Sequence, residues 1–155
     1  GICQAANDND PSQVVISGEK TAVELAIELA KNRGAKRAIM LPVSAPFHCE
    51  LMAPAAEKMK NELENIEIKP PIVPIVSNVC ACAISDPIEI KKLLVSQVTG
   101  SVRWRESIMW MANNNVNEIW EVGSGKALSG MIRRIDKNIN LMTISSPEDI
   151  RAVNF

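Results

Sequence analysis

The chain has 155 residues, 46% of them apolar and 23% charged, and a formal net charge of −1. That is the make-up of one globular domain with a real core. It excludes nucleic-acid binding by bulk electrostatics, and no apolar run nears the roughly 18–20 residues of a membrane span.

Gly1 stands where an initiator methionine is expected, which fits either a processing scar or a piece of a longer protein; no signal peptide is visible. Gln13–Gly18 is a β-branched run closed by glycine and is predicted to be a strand. Glu19–Arg33 carries Val23, Leu25, Ala26, Ile27, Leu29 and Ala30, a wide helical stripe stopped by Gly34. Lys36–Leu41 is predicted to be a second strand. A loop with Pro42 and Pro46 follows and carries His48, the single histidine. Met52, Ala55, Ala56, Met59, Leu63 and Ile66 repeat at helical spacing up to Pro70-Pro71. Ile72–Val79 is an edge or bent strand interrupted by Pro74. Asp86-Pro87 with Glu89 opens a helix to about Gln97. A further helix is predicted from Trp104 to about Asn113. Glu118–Val122 is a strand, Gly123–Lys126 a turn into a helix reaching Ile135, and Leu141–Ile144 the last strand. Ser146-Pro147 with Asp149 caps a short final helix. The alternation predicts an α/β fold with at least partly parallel pairing. Residues 1–43 read strand–helix–strand and form a candidate layer distinct from residues 44–155.

Imidazole is the side chain whose ordinary protonation range spans neutral pH, so His48 is the natural candidate for a general base. Cys49 beside it points away on an extended or turning backbone, which argues against a Cys–His nucleophile pair. Gly123-Ser-Gly-Lys126 lacks the phosphate-loop pattern, because Trp120 and Ala127 occupy its other defining positions. A tight strand-to-helix turn is the better reading. Cys80 and Cys82 are too close in sequence for good mutual disulfide geometry, so all four cysteines are expected to be reduced thiols of a cytosolic protein. No cluster has metal-ligand spacing, and no metal is expected. Ser44, Ser77, Ser101 and Ser129 all lie outside a Gly-x-Ser-x-Gly elbow. The chain thus offers a base without a convincing nucleophile.

Gln13-Val-Val-Ile-Ser-Gly18, Gly34-Ala-Lys-Arg37, the run Leu41-Pro-Val-Ser-Ala-Pro-Phe-His48-Cys-Glu-Leu-Met52, Val73-Pro-Ile-Val-Ser-Asn78, Val102-Arg-Trp104 and Glu121-Val-Gly-Ser-Gly-Lys126 stand in one order. Together they resemble the malonyl-CoA:acyl carrier protein transacylase family of bacterial fatty acid synthesis. The resemblance covers nearly the whole chain, but only the C-terminal half of the family's length. It implies an α/β-hydrolase-like core with an inserted ferredoxin-like subdomain, residues 1–43 being the latter part of the insert and 44–155 the C-terminal part of the core. The family's nucleophile elbow, oxyanion glutamine and malonyl-binding arginine belong to the N-terminal half.

By the same resemblance, His48 takes the proton of that serine, and the backbone carbonyl of Gln97 orients the imidazole. Asn7 and Asn9 match asparagines beside the cleft; the alternative is that they are turn formers in Asn-Asp-Asn-Asp. Phe47 matches a position whose bulk favours malonyl over methylmalonyl groups, although some members carry serine there. Lys36, Arg37, Arg133 and Arg134 match basic positions that meet the acidic carrier protein, with solvated surface as the alternative. Ser12 and Ser124 depart from the family's usual glycine and proline. The implied substrate is malonyl-CoA, with no permanently bound cofactor. The implied partners are acyl carrier protein and the missing N-terminal half, with no nucleic acid and no membrane. The competing reading is a non-catalytic ferredoxin-like interaction module derived from the transacylase.

Overall fold

The computed structural model describes residues 1–153. The last two residues of the 44–155 division, Asn154 and Phe155, lie outside the described residues. The fold is mixed α/β, built on three separate two-stranded sheets.

β1 (Cys3–Asp10) and β2 (Gln13–Gly18) form an antiparallel hairpin with bulges between Ala5 and Asn7 and between Asp8 and Asp10. The turn is only Pro11-Ser12. Asp10 Oδ1 closes it by accepting from the Ser12 backbone N–H at 2.8 Å and the Ser12 hydroxyl at 2.7 Å. Asn7 and Asn9 are therefore strand residues, which corrects the alternative reading of them as turn formers. Asn and Asp disfavour strands only weakly, and pairing with the β-branched face of β2 overrides that preference.

α1 (Lys20–Asn32) follows. It ends in a Schellman arrangement: Gly34, at φ 91°, donates to the Lys31 carbonyl, and Ala35 donates to Ala30. The expected strand Lys36–Leu41 is absent, and this too is a correction. No described strand pairs with the segment, and Ile39, Met40 and Leu41 stay exposed. A strand without a neighbour has no ladder to hold it. Residues 1–41 are thus hairpin–helix rather than strand–helix–strand.

A 3₁₀ turn (Glu50–Met52) leads into α2 (Ala53–Glu64), which packs against α3 (Pro87–Thr99). Asp86 caps α3 by accepting from the Ile88 N–H at 3.2 Å. Between these helices, β3 (Ile75–Ser77) and β4 (Cys82–Ile84) make a short antiparallel hairpin. The strand expected over 72–79 therefore shrinks to three residues beyond Pro74. In the hairpin turn Ala81 adopts φ 52°, which brings the Cys80 and Cys82 Cα atoms to 5.3 Å, and the two sulfurs are bonded. The expectation of four free thiols is thereby corrected. An extended Cys-x-Cys cannot close this bond, but a left-handed central residue folds the backbone back within disulfide range. Cys3 and Cys49 remain free thiols.

α4 (Trp104–Asn113), β5 (Glu118–Val122), α5 (Ala127–Ile135) and β6 (Asn140–Ile144) complete the main packed unit. β5 and β6 pair in parallel with α5 as their crossover. Ile108, Ile132 and Ile139 are buried at the junction of α4, α5 and this sheet, with Trp104, Met111, Ile119 and Leu141 around them. α6 (Pro147–Ala152) begins with the expected capping box of Ser146 and Asp149.

β1 is fastened to this unit. Its Asn7 bridges Val102 in parallel, through Val102 N–H to the Ala6 carbonyl (2.8 Å) and Asp8 N–H to the Val102 carbonyl (2.9 Å). Arg105 grips the Asp8 carboxylate with bonds of 2.7–3.1 Å. Arg134 of α5 holds Asp10 at 2.8–2.9 Å. Asp10 is 1% exposed. Burial pushes its carboxyl up, but the Arg134 guanidinium and the two Ser12 bonds outweigh burial and hold it at about 2.

Candidate active site around His48

His48 takes φ 58°, the left-handed region that histidine enters more readily than most side chains. The reversal sends the neighbouring Cys49 side chain fully inside, at 0% exposure, while the half-buried imidazole meets the C-terminal part of α3. There the imidazole Nδ1 lies 3.0 Å from the Gln97 backbone carbonyl oxygen. A carbonyl only accepts, so Nδ1 carries the proton and donates it. The Nε2 lone pair is then free to take a proton from a nucleophile. The arrangement is a base and its orienter, the second and third members of a nucleophile–base–orienter relay.

Gln97 does more than lend a carbonyl. Its side-chain Nε2 donates to the Gly100 carbonyl at 2.9 Å and more weakly to Ser101 at 3.5 Å, tying down the end of α3. Gly100 is needed there, because a Cβ on it falls 2.8 Å from the Ser96 carbonyl oxygen.

The other sequence-derived candidates divide. Asn7 and Asn9 are half-buried on β1, Asn7 bridging Val102, five residues beyond Gln97, through the flanking Ala6 carbonyl and Asp8 N–H. Phe47 is 50% exposed, next to His48. Lys36, Arg37 and Arg133 are exposed; the guanidinium of Arg134 is engaged by Asp10. Cys49 is a free thiol sealed from solvent, which fits a packing residue and not a nucleophile. Gln4 gave no sequence signal, yet its Oε1 accepts from the Glu50 backbone N–H at 2.8 Å. Two surface concavities lie elsewhere, one along α1 and one beside Ile139, and His48 lines neither. Among the described residues no group of three or more His, Cys, Asp or Glu side chains is placed to hold a metal ion. No helix among them is long and apolar enough to cross a membrane.

No family model matches the chain. The malonyl CoA-acyl carrier protein transacylase of Bacillus subtilis (strain 168) is 46% identical over 149 residues, covering 96% of this chain and 47% of that protein. The transacylase of the same description from Haemophilus influenzae is 43% identical, over 98% of this chain and 49% of that protein. The crystal structure of the acyl-carrier-protein S-malonyltransferase from Bartonella henselae superposes with a TM-score of 0.94 at 55% identity, over 98% of this chain and 48% of that one. The chain matches the C-terminal half of the malonyl CoA-acyl carrier protein transacylases. It spans about half the length of the curated relatives it matches. A further transacylase structure, solved in complex with a type II polyketide acyl-carrier protein, superposes with a TM-score of 0.93 at 38% identity, over 97% of this chain and 49% of that one. The transacylase match spans both the His48 loop and the end of α3, so the contact between them lies inside the matched region.

Proposed function

We propose that this chain supplies the base-bearing half of a malonyl-CoA:acyl carrier protein transacylase acting in the cytoplasm, with malonyl-CoA and acyl carrier protein as its substrates. The nucleophilic serine belongs to the complementary segment that makes up the rest of the relatives' length. Attack of its hydroxyl on the malonyl thioester passes the hydroxyl proton to His48 Nε2. The C–S bond then breaks, and the imidazolium returns the proton to the departing coenzyme A thiolate. In the second half-reaction the phosphopantetheine thiol gives its proton to Nε2 and attacks the malonyl-serine ester; the ester C–O bond breaks, the imidazolium returns the proton to the departing serine oxygen, and the malonyl group leaves on the thiol. Throughout, Nδ1–H stays on the Gln97 carbonyl. The observation that carries this reading is the 3.0 Å contact between His48 Nδ1 and Gln97 O.

Asn7 and Asn9 line the substrate side of the cleft, and Phe47 crowds groups larger than malonyl. A methylene-scale distinction of this kind is worth about 1–3 kcal/mol. Lys36, Arg37 and Arg133 meet the acidic carrier protein; Arg134, held by Asp10, contributes mainly to the fold. Residues 1–43 act as the latter part of the small ferredoxin-like subdomain and 44–155 as core, with β1 spliced onto the core through Val102.

The test is to combine the chain with its serine-bearing segment, radiolabelled malonyl-CoA and holo acyl carrier protein. Label is expected to reach the carrier protein. No transfer, with His48 intact and the two segments associated, contradicts the proposal and favours a non-catalytic interaction module.

A further inference from the structure

We propose that Gln4 is a positioning residue for His48, acting as a helix cap supplied from a distant strand; the inference deepens, and rests on, the assignment of His48 as the base. The 3₁₀ turn that follows His48 starts without a side-chain cap of its own, because Cys49 at the capping position makes no such bond. Its first N–H, that of Glu50, has no acceptor within the turn, the ordinary situation of a helix start. Gln4, 46 residues away on β1, fills the gap with its Oε1 at 2.8 Å. An N-cap side chain normally serves the second or third N–H of its own turn, so the first N–H, that of Glu50, is held here from outside the segment. Here the donor lies two residues beyond His48, so the bond fixes the backbone where the imidazole leaves the chain.

β1 also fixes the acceptor. Three residues along, about 10 Å at ordinary strand rise, Asn7 bridges Val102, which follows the Gly100-Ser101 carbonyls that anchor the Gln97 side chain. One strand therefore holds the imidazole through Gln4 and the carbonyl it donates to through Asn7. The left-handed φ of His48 makes the first hold matter. A strained non-glycine residue keeps its conformation only when its surroundings impose it, and here those are the buried Cys49 side chain on one side and the Gln4–Glu50 bond on the next. Released from Gln4, the loop gains alternatives in which Nδ1 no longer meets Gln97.

Because His48 is the only histidine, its ring nitrogens can be read without assignment ambiguity after labelling this chain with 15N-histidine. The measurement is the ratio of Nδ1–H to Nε2–H tautomers of the neutral ring, taken on the chain alone and with unlabelled serine-bearing segment. Gln4→Met keeps length and removes the acceptor; Gln4→Ser cannot reach; Gln4→Glu keeps an acceptor oxygen. Loss of one ordinary hydrogen bond predicts a ratio lowered about three-fold in the first two variants, faster exchange of the Glu50 amide, and near-normal values in Gln4→Glu. In the combined enzyme, kcat for malonyl transfer falls by a similar factor with KM for malonyl-CoA unchanged. An unchanged ratio in Gln4→Met and Gln4→Ser, or no recovery in Gln4→Glu, overturns the proposal. Loss of the fold in both Gln4→Met and Gln4→Ser also overturns it, by assigning Gln4 to stability. If the wild-type pair transfers no malonyl group, the base assignment of His48 fails instead, and the tautomer result stands separately.

Discussion

The β5–α5–β6 unit with α4 and the stretches on either side of α2 are built from the same kinds of residue but end in opposite conditions. In the first, Ile108 and Ile132 are sealed from solvent. In the second, Ile39, Met40, Leu41 and Val43 before α2, and Ile72 and Val73 after it, lie open. Isolated exposed apolar residues need no explanation, but two open runs of consecutive apolar residues are what the proposed two-segment transacylase predicts at its seam. Relatives about twice as long supply a natural occupant: the complementary segment of the proposed transacylase. The first region has a sealed centre with scattered apolar side chains such as Met109 and Val122 at its surface, whereas the second has contiguous open runs and, among the described residues, no sealed centre of its own.

The largest difference between the two regions is expected in the core. Ile108→Ala, in the completed region, is expected to cost about 2–5 kcal/mol, measured by urea unfolding. Ile72→Ala, on a fully exposed side chain, is expected to cost less than about 0.5 kcal/mol in the same titration; its effect appears instead as weaker association with the complementary segment. Equal losses at both sites would erase the distinction.

The seam between β1 and the core comes next. The Asp10 carboxyl is held at about 2, below its ordinary 3.8. Its contribution is therefore complete above about pH 4 and is lost as pH falls towards 2, because protonation then favours the unfolded chain. Asp10→Asn is expected to lower stability at neutral pH by about 1–2 kcal/mol and to flatten the acid limb between pH 4 and 2. An acid limb identical to that of the parent chain would separate Asp10 from the seam.

The disulfide is expected to matter less. It closes a loop of three residues, so chain entropy limits its contribution to less than about 2 kcal/mol. The double change Cys80→Ser, Cys82→Ser should lower the urea midpoint only slightly. A collapse of the whole fold would show that the β3–β4 hairpin organises more of the molecule than its size suggests.

The smallest effect concerns Gln97. Its catalytic service uses the backbone, so Gln97→Ala keeps the carbonyl. The side-chain bond to Gly100 is lost, and malonyl transfer should fall only about two- to five-fold, the equivalent of one ordinary hydrogen bond. A hundred-fold loss would mean that the amide itself takes part.

What could be read in advance follows from where the information sits. Asp86-Pro87, Ser146 with Asp149, and Gly34 specify helix ends through bonds within a few residues, and these ends lie where local chemistry places them. The strands β5 and β6 were legible because a crossover helix separates two β-branched or apolar runs. Lys36–Leu41 failed for the opposite reason: its pattern is strand-like, but a strand is completed by a partner, and none is described. β1 was hidden because Asn and Asp prefer turns, and its pairing depends on β2, Val102, Arg105 and Arg134, far along the chain. The Cys80–Cys82 bond turned on one backbone angle, at Ala81, that composition does not reveal. At the site, His48 was visible as residue type and motif. The cap from Gln4 carries no pattern, since any side chain with an acceptor of the right reach serves.

In the proposed transacylase His48, oriented by the Gln97 carbonyl, is the base for malonyl transfer. Its most direct measurement is the rate at which the chain, combined with its serine-bearing segment, passes malonyl groups to acyl carrier protein with His48 intact and as His48→Ala. Loss of a positioned general base predicts a fall of about 10²–10⁴-fold with association of the segments unchanged. Transfer within a factor of about two of the parent rate, less than one ordinary hydrogen bond's worth, would show that His48 is not the base.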